Sequence, residues 1–315
     1  MITMEDPNTL DDSIQQSYPS VDNNHDSKHE SSGFAQQESI YEDSEAYDVV
    51  AKDVTDNVLQ INELQINEED KAVSRMNRLK CIRPVQRDLK SLLKDPLPGI
   101  FVVQDEARLD LCHALINGPS DTPYEFGWFY FQMKFPGDYP HSPPEVQLKT
   151  TGGGRVRFNP NLYKNGRVCL SILGTWEGPS WSPAQTIGST LLSIQSLLNF
   201  APLHNEPGFE DKTGYREYSK HYNQLLRHET IRVAVLDMLD TSMNNEDKAL
   251  PVKLAEIVRD TFLDQAEYYK YICDEYSFLD GRPFQDSFFE NQGKFCFSGL
   301  QSRIEKLEEE LRAKM

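Results

Sequence analysis

Long apolar runs are missing from this chain. No stretch approaches the ~18 residues that a membrane-spanning helix needs, so no membrane partner is expected. The first residues, MITMEDPNTL, hold neither a basic segment nor an apolar core, and no secretory signal is read there. Cysteine is scarce: Cys81, Cys112, Cys169, Cys273 and Cys296 are five in 315 residues, an odd number without a CxxC pair. That spacing argues against a disulfide framework and against a zinc site built on cysteine pairs, so no metal is expected. A reducing home, cytoplasmic and nuclear, fits such usage.

Basic residues are nearly absent from the first 70, where Lys28 and Lys52 face 18 Asp and Glu. The net charge of the whole chain is −18, so only about −2 belongs to the rest. The acidity belongs to a tail. Rich in Asp, Glu, Ser, Asn and Gln, residues 1–74 cannot bury enough apolar surface to offset chain entropy, and disorder is expected. Within them LQINELQINE, residues 59–68, repeats a five-residue unit. It reads either as a chance duplication or as a short helix against a partner.

From Arg75 the composition reverses. RMNRLKCIRPVQRDLKSLLK carries Arg75, Arg78, Lys80, Arg83, Arg87, Lys90 and Lys94 against one acid, Asp88. Ile82, Val85, Leu89, Leu92 and Leu93 recur at helical spacing, and Pro84 should begin or kink the helix. Its basic face is either solvated or a docking surface. RLDLCHALI, WFYFQMKF and EVQLKTT then read as three strands joined by turn-rich links, an antiparallel meander. In the first, Leu109, Leu111, His113 and Leu115 should share one face and Cys112 and Ala114 the other; in the last, Val146 and Leu148 should point inward. GGGRV lacks the Lys-Ser/Thr of a phosphate-binding loop, so that function is set aside.

After Cys169, WSPAQTIGSTLLSIQSLL reads as a helix capped by Ser182, with Pro183 first and Gln185 closing a capping box. Ile187, Leu191, Ile194 and Leu198 mark its buried face. A second helix is expected over Tyr215–Asp240, and others over about 249–279 and 299–314, the last with a Leu300, Ile304, Leu307, Leu311 stripe. Helix, strands, helices in that order argue for an α+β domain with a helical extension. The expected boundaries are 1–74 for the tail, 75–240 for the core and 241–315 for the extension.

The stretch NPNLYKNGRVCLSIL poses the chemical question. Cys169 is either a buried small hydrophobe or a nucleophile, and no histidine lies within 25 residues of it. NGPSDTPYEFG, FPGDYPHSPPEV, RFNPNLYKNGRVCLSIL, WSPAQTI and HNEPGFE follow in order between Arg78 and Asp240. As a set they resemble the ubiquitin-conjugating enzyme family. CLSILGTWEGPSWSPAQ and RHETIRVAVLDML are most similar to its Z-type branch.

The resemblance implies the family fold: an N-terminal helix, a four-stranded antiparallel meander, an active-site loop and C-terminal helices. It implies that Cys169 accepts ubiquitin, or a ubiquitin-like modifier, as a thioester from an activating enzyme and passes it to a substrate lysine or a ligase. Exchange between thioesters needs no permanent base on the sulfur, which accounts for the missing histidine. Asn161, eight residues before Cys169, matches the family asparagine that stabilises the oxyanion or braces the loop. Glu206 aligns with the acid that orients the attacking amine. Arg83, Arg87 and Lys90 match the activating-enzyme docking helix. His141, Pro183 and Ala184 match the ligase-facing loops. No cofactor is implied, because ATP is consumed by the upstream activating enzyme; nor is a nucleic-acid partner.

Some residues depart from the family pattern. Asn159 stands where the family places a histidine, which puts loop rigidity in doubt. His141 replaces a large apolar residue. Ser171 stands where many relatives carry Asp, and reads equally as a gate or a surface serine. GTWEGP adds length after Cys169, and Trp176 within it is expected to be buried rather than to shape the rim. Two rival readings remain: a thiol hydrolase pairing Cys169 with His204, His221 or His228, and a non-catalytic ubiquitin-binding variant.

Overall fold

The computed structural model describes residues 76, 80–209, 216–244 and 249–314. The expectations for the acidic tail and its LQINELQINE repeat lie outside these residues. Helix α1 (Ile82–Lys94) opens the fold with Pro84 in its first turn, where a missing N–H is harmless, so the proline begins the helix. Val85 is buried and Ile82, Leu89 and Leu92 are half-buried. Leu93, expected inside, is 79% exposed, because it stands about 100° round the helix from Leu92. The lone acid turns inward. Asp88 accepts from the Tyr139 hydroxyl at 2.6 Å and from the Ile187 N–H at 3.3 Å. It joins α1 to the loop before β4 and to the first turn of helix α2 (Ile187–Gln195).

Strands β1 (Ile100–Gln104), β2 (Leu111–Asn117), β3 (Trp128–Lys134) and β4 (Glu145–Leu148) form an antiparallel meander in that order. Alternation sends Cys112, Ala114, Ile116, Phe129, Phe131 and Met133 into the main core. Leu115, Trp128 and Tyr130 point the other way and are buried as well, under Met238, Leu250, Leu254, Ala255 and Val258. Both faces of the central strands are therefore covered. Leu109 lies before the strand and is 39% exposed.

Helix α2 begins at Ile187, not at Pro183 as the sequence reading had it. Thr186 and Ser189 cap it reciprocally: the Thr186 hydroxyl accepts from the Ser189 N–H at 3.2 Å, and the Ser189 hydroxyl accepts from the Thr186 N–H at 2.9 Å. Ser182 has only a 3.4 Å contact with the Ala184 N–H, and Ser182–Gln185 close a separate turn. The expected face is right: Ile187, Leu191, Ile194 and Leu198 are fully buried.

The chain continues through α3 (Arg216–Glu229), a π-helical segment (Thr230–Asp237) and α4 (Met238–Met243). In the π segment Thr230, Ile231, Val233, Ala234, Val235 and Leu236 are all buried, as a helix enclosed on several sides requires. It packs on β3 and on the last helix. Helix α5 (Val252–Tyr276) and helix α6 (Phe297–Lys314) follow, separated by a small hairpin of β5 (Pro283–Gln285) and β6 (Gln292–Lys294). The hairpin has no counterpart in the sequence reading. The Leu300, Ile304, Leu307, Leu311 stripe of α6 is buried. Asp280 caps that helix by accepting from the N–H groups of Phe297 and Ser298. No helix among the described residues is long and apolar enough to cross a membrane.

Candidate active site

The site rests on the NGPSDTPYEFG turn. Its two glycines meet: the Gly118 N–H donates to the Gly127 carbonyl at 2.8 Å. Neither tolerates a side chain. A Cβ on Gly118 would lie 1.7 Å from the Tyr124 carbonyl oxygen, and one on Gly127 would lie 2.5 Å from Thr230 Cγ2. The turn aims Tyr124 into the core, where its hydroxyl donates to the Phe158 carbonyl at 2.6 Å. Burial pushes that hydroxyl far above its usual titration range, so it stays a donor.

Asn159 is the hub above this pillar and is fully buried. Its Nδ2 donates to the Leu197 carbonyl at 2.8 Å and to Tyr124 Oη at 3.2 Å. Its Oδ1 accepts from the Asn161 N–H at 2.9 Å and from Asn205 Nδ2 at 3.3 Å. The loop rigidity put in doubt by the lost histidine is thus supplied by an amide that uses both donors and accepts twice. Asn161 then ties directly to the cysteine. The Cys169 N–H donates to the Asn161 carbonyl at 2.9 Å, and Asn161 Nδ2 donates to the Cys169 carbonyl at 3.0 Å.

A threonine from the added GTWEGP stretch holds the other side. Thr175 Oγ1 donates to the Val168 carbonyl at 2.7 Å and accepts from the Leu170 N–H at 2.9 Å, fastening the backbone on both sides of Cys169. Cys169 itself is 2% exposed, followed by half-buried Leu170, Ser171 and Ile172. Trp176, expected to be buried, is 45% exposed: Thr175 faces the loop, and the next side chain points away from it. The other core cysteines are poor nucleophiles. Burial pushes Cys112 and Cys273 up to about 12 and also raises Cys81.

Glu206 is half-buried, with Oε2 3.8 Å from Nη2 of Arg157. Arg157 is a buried guanidinium that the sequence reading passed over. It donates through Nε to the Asn159 carbonyl at 3.3 Å and through Nη2 to the Pro160 carbonyl at 2.6 Å. Glu206 therefore reaches the cysteine loop through Arg157 and through its neighbour Asn205. The one sequence signal for Arg157 was its place between Val156 and Phe158, a charge inside an apolar run.

The docking candidates sit apart from this network. Arg83, Arg87 and Lys90 are exposed on α1. His141, Pro183 and Ala184 are exposed on two loops that meet where Trp181 Nε1 donates to the Pro140 carbonyl at 2.7 Å. Of the histidines considered for a hydrolase, His228 is committed elsewhere: Nδ1 meets Glu229 Oε1 at 2.9 Å and Nε2 accepts from the Cys296 N–H at 3.2 Å. Among the described residues no His, Cys, Asp and Glu group is placed to hold a metal.

The α+β architecture and the cysteine loop held by Asn161 agree with what the sequence resemblance implies, and comparison with known proteins points the same way. The family model described as "Ubiquitin-conjugating enzyme" matches residues 84–230. The chain belongs to the ubiquitin-conjugating enzyme family, whose members accept ubiquitin and transfer it through a thioester. Its similarity is to the Z type. "Ubiquitin-conjugating enzyme E2 Z" of Danio rerio is 49% identical over 234 residues, 74% of this chain and 70% of that protein. The Homo sapiens protein of the same name is 49% identical over 224 residues, 71% of this chain and 62% of its own length. "Dual E2 ubiquitin-conjugating enzyme/E3 ubiquitin-protein ligase BIRC6" of Homo sapiens is 48% identical over 149 residues, 45% of this chain and 3% of that one.

Proposed function

We propose that this chain carries ubiquitin as a thioester on Cys169, receives it from an activating enzyme that docks on Arg83, Arg87 and Lys90, and hands it to a lysine or a ligase. The observation that carries this reading is the pair of hydrogen bonds between Asn161 and Cys169, which gives the thiol a fixed backbone without a histidine. In the first step the Cys169 thiolate attacks the carbonyl carbon of the activating enzyme's thioester. The new C–S bond forms, the old one breaks, and the activating enzyme's thiolate leaves. In the second step a lysine amine attacks the same carbon, a C–N bond forms, the C–S bond breaks with Cys169 leaving as thiolate, and the amine gives up a proton.

Asn161 spends one amide hydrogen on the Cys169 carbonyl, which supports a bracing role. Glu206 is the group proposed to orient the amine and take its proton. The adjoining loops at His141, Pro183 and Ala184 are proposed to face the ligase.

The test is a charging assay with ubiquitin, ATP, magnesium and each ubiquitin-activating enzyme in turn, run on a non-reducing gel. A ubiquitin-sized shift that disappears with thiol reductant and in Cys169→Ala is expected with at least one activator. No shift with any of them would move the reading to a different modifier or to a binding role.

A further inference from the structure

The hairpin β5–β6 holds a loop that reaches the cysteine loop from the far end of the chain. Asp286 folds it: this buried carboxylate accepts from the Phe288 N–H at 3.1 Å, the Glu290 N–H at 2.9 Å and the Asn291 N–H at 3.1 Å. The folded loop grips Arg157. Asn291 Oδ1 accepts from the Arg157 N–H at 2.8 Å, and Asn291 Nδ2 donates to the Arg157 carbonyl at 2.7 Å. Glu290 Oε1 accepts from Arg157 Nη1 at 2.8 Å, and its other oxygen lies 3.5 Å from Lys164 Nζ. The guanidinium carbon lies 4.1 Å from the Tyr163 ring centre and 4.5 Å from that of Phe288.

One buried cation therefore faces two carboxylates. Glu290 is in direct contact at 2.8 Å, while Glu206 stands off at 3.8 Å. A buried guanidinium keeps a counter-ion at contact distance, because an unpaired charge there is costly. If Glu290 did not fill that role, Glu206 would be drawn in to fill it. A carboxylate held in direct contact with Arg157 has its oxygens committed to the guanidinium and is turned away from an incoming amine.

We infer that Arg157 is a positioning residue and that Glu290 and Asn291 complete the active site: Glu290 takes the direct share of the Arg157 charge and leaves Glu206 available for amine transfer. This rests on the proposed use of Cys169 and Glu206. It assigns the C-terminal part a role in the second half-reaction.

The test separates the two half-reactions on the full chain. Each variant is charged with ubiquitin, the activating enzyme is stopped, and thioester loss to free lysine is timed. Glu290→Gln keeps the shape of the loop and its backbone bonds, so it should melt near the parent and still charge to completion. Its discharge to lysine should slow about tenfold, a fraction of what general acid–base groups contribute. Glu206→Gln should slow discharge more.

The deciding readout is the double variant. If Glu290 acts through Arg157 on Glu206, then Glu206→Gln/Glu290→Gln discharges no more slowly than Glu206→Gln alone. A merely structural contribution of Glu290 would multiply the two losses, and that result overturns the inference. Discharge of Glu290→Gln at the parent rate overturns it too, as does an unimpaired Glu206→Gln. Failure of the parent chain to charge at all is a separate result: it removes the thioester reading itself.

Discussion

The loop that carries Cys169 and the surfaces proposed to meet partners are built on opposite principles. Around the cysteine, Tyr124, Asn161 and Thr175 spend polar atoms on backbone groups of the loop, and the wholly buried Asn159 ties that loop to the Leu197 carbonyl beyond α2. On α1 and on the His141 and Pro183–Ala184 loops the key side chains are exposed. The first arrangement holds one geometry through a cycle of attack and release. The second leaves side chains for a succession of partners, which an enzyme passing one cargo from protein to protein must meet in turn. The contrast teaches where substitutions should act: in the loop on stability and both half-reactions, on the surfaces on encounter alone.

The largest effect should come from Gly118→Ala. Its methyl would sit 1.7 Å from a backbone oxygen, with no flexible side chain to yield, so the turn that aims Tyr124 cannot close. Loss of more than about 4 kcal/mol is expected, read by urea unfolding or as failure to accumulate folded protein. Asn159→Ala comes next. It strands the Asn161 N–H in the interior, at a cost of roughly 1–3 kcal/mol for a buried group left unpaired, and leaves the Leu197 carbonyl only its 3.2 Å bond from Asn205 Nδ2. Charging should fall with stability. An Asn159→Ala protein that melts like the parent would break the comparison, since the loop would then not be internally braced.

Much of this was legible in the sequence, and the reasons for the rest are physical. Strands β2 and β3 and the α6 stripe were readable because one buried face imposes a period on the chain. Strand β1 was not: IFVVQ is short and nearly continuous in character, and only the family resemblance supplied a fourth strand. The start of α2 was misplaced because Ser182-Pro183 and Thr186-Ser189 both look like caps, and only the second makes two good bonds. Arg157 escaped notice because its partner Asn291 is 134 residues away, and nothing local marks a buried guanidinium. The hairpin that carries Asn291 has three-residue strands, too short for any period. Cys169, Asn161 and Glu206 were placed by motif, and the structure connects all three through Asn159, Arg157 and Asn205.

Smaller effects sharpen the contrast. Thr175→Val keeps the shape and removes the hydroxyl that fastens Val168 and Leu170, so about 1–2 kcal/mol and a slower discharge are expected. Acid should act on the scaffold rather than on the surfaces. Burial opposes ionisation at Glu229, but hydrogen bonds from His228 and Arg232 outweigh it and hold the carboxyl below its usual range. At Asp280 burial is outweighed in the same way by Ser298 and Phe297. A carboxylate with a lowered folded-state pKa stabilises the fold above its unfolded value, and that contribution disappears as pH falls through the folded one. Thermal stability should therefore drop as pH falls through and below the ordinary carboxylate range, and Asp280→Asn should make the drop shallower.

The smallest effect on stability belongs to the basic face of α1. Arg83 and Lys90 are exposed, so replacing either by Ala should change unfolding free energy by no more than about 0.5 kcal/mol; Arg87 is exposed too but lies 3.4 Å from the buried Asp88 carboxylate, so its replacement should cost somewhat more. Their effect should lie in the rate of charging. If the activating enzyme meets this face through opposite charge, the triple variant charges several-fold more slowly at low salt, and the rates converge as ionic strength rises and screening shortens the reach of the charges. Discharge to free lysine should be unchanged, because no activating enzyme takes part in it. A triple variant that charges at the parent rate at every salt concentration would detach activation from this helix. One that discharges slowly would tie the face to the loop and erase the distinction between them.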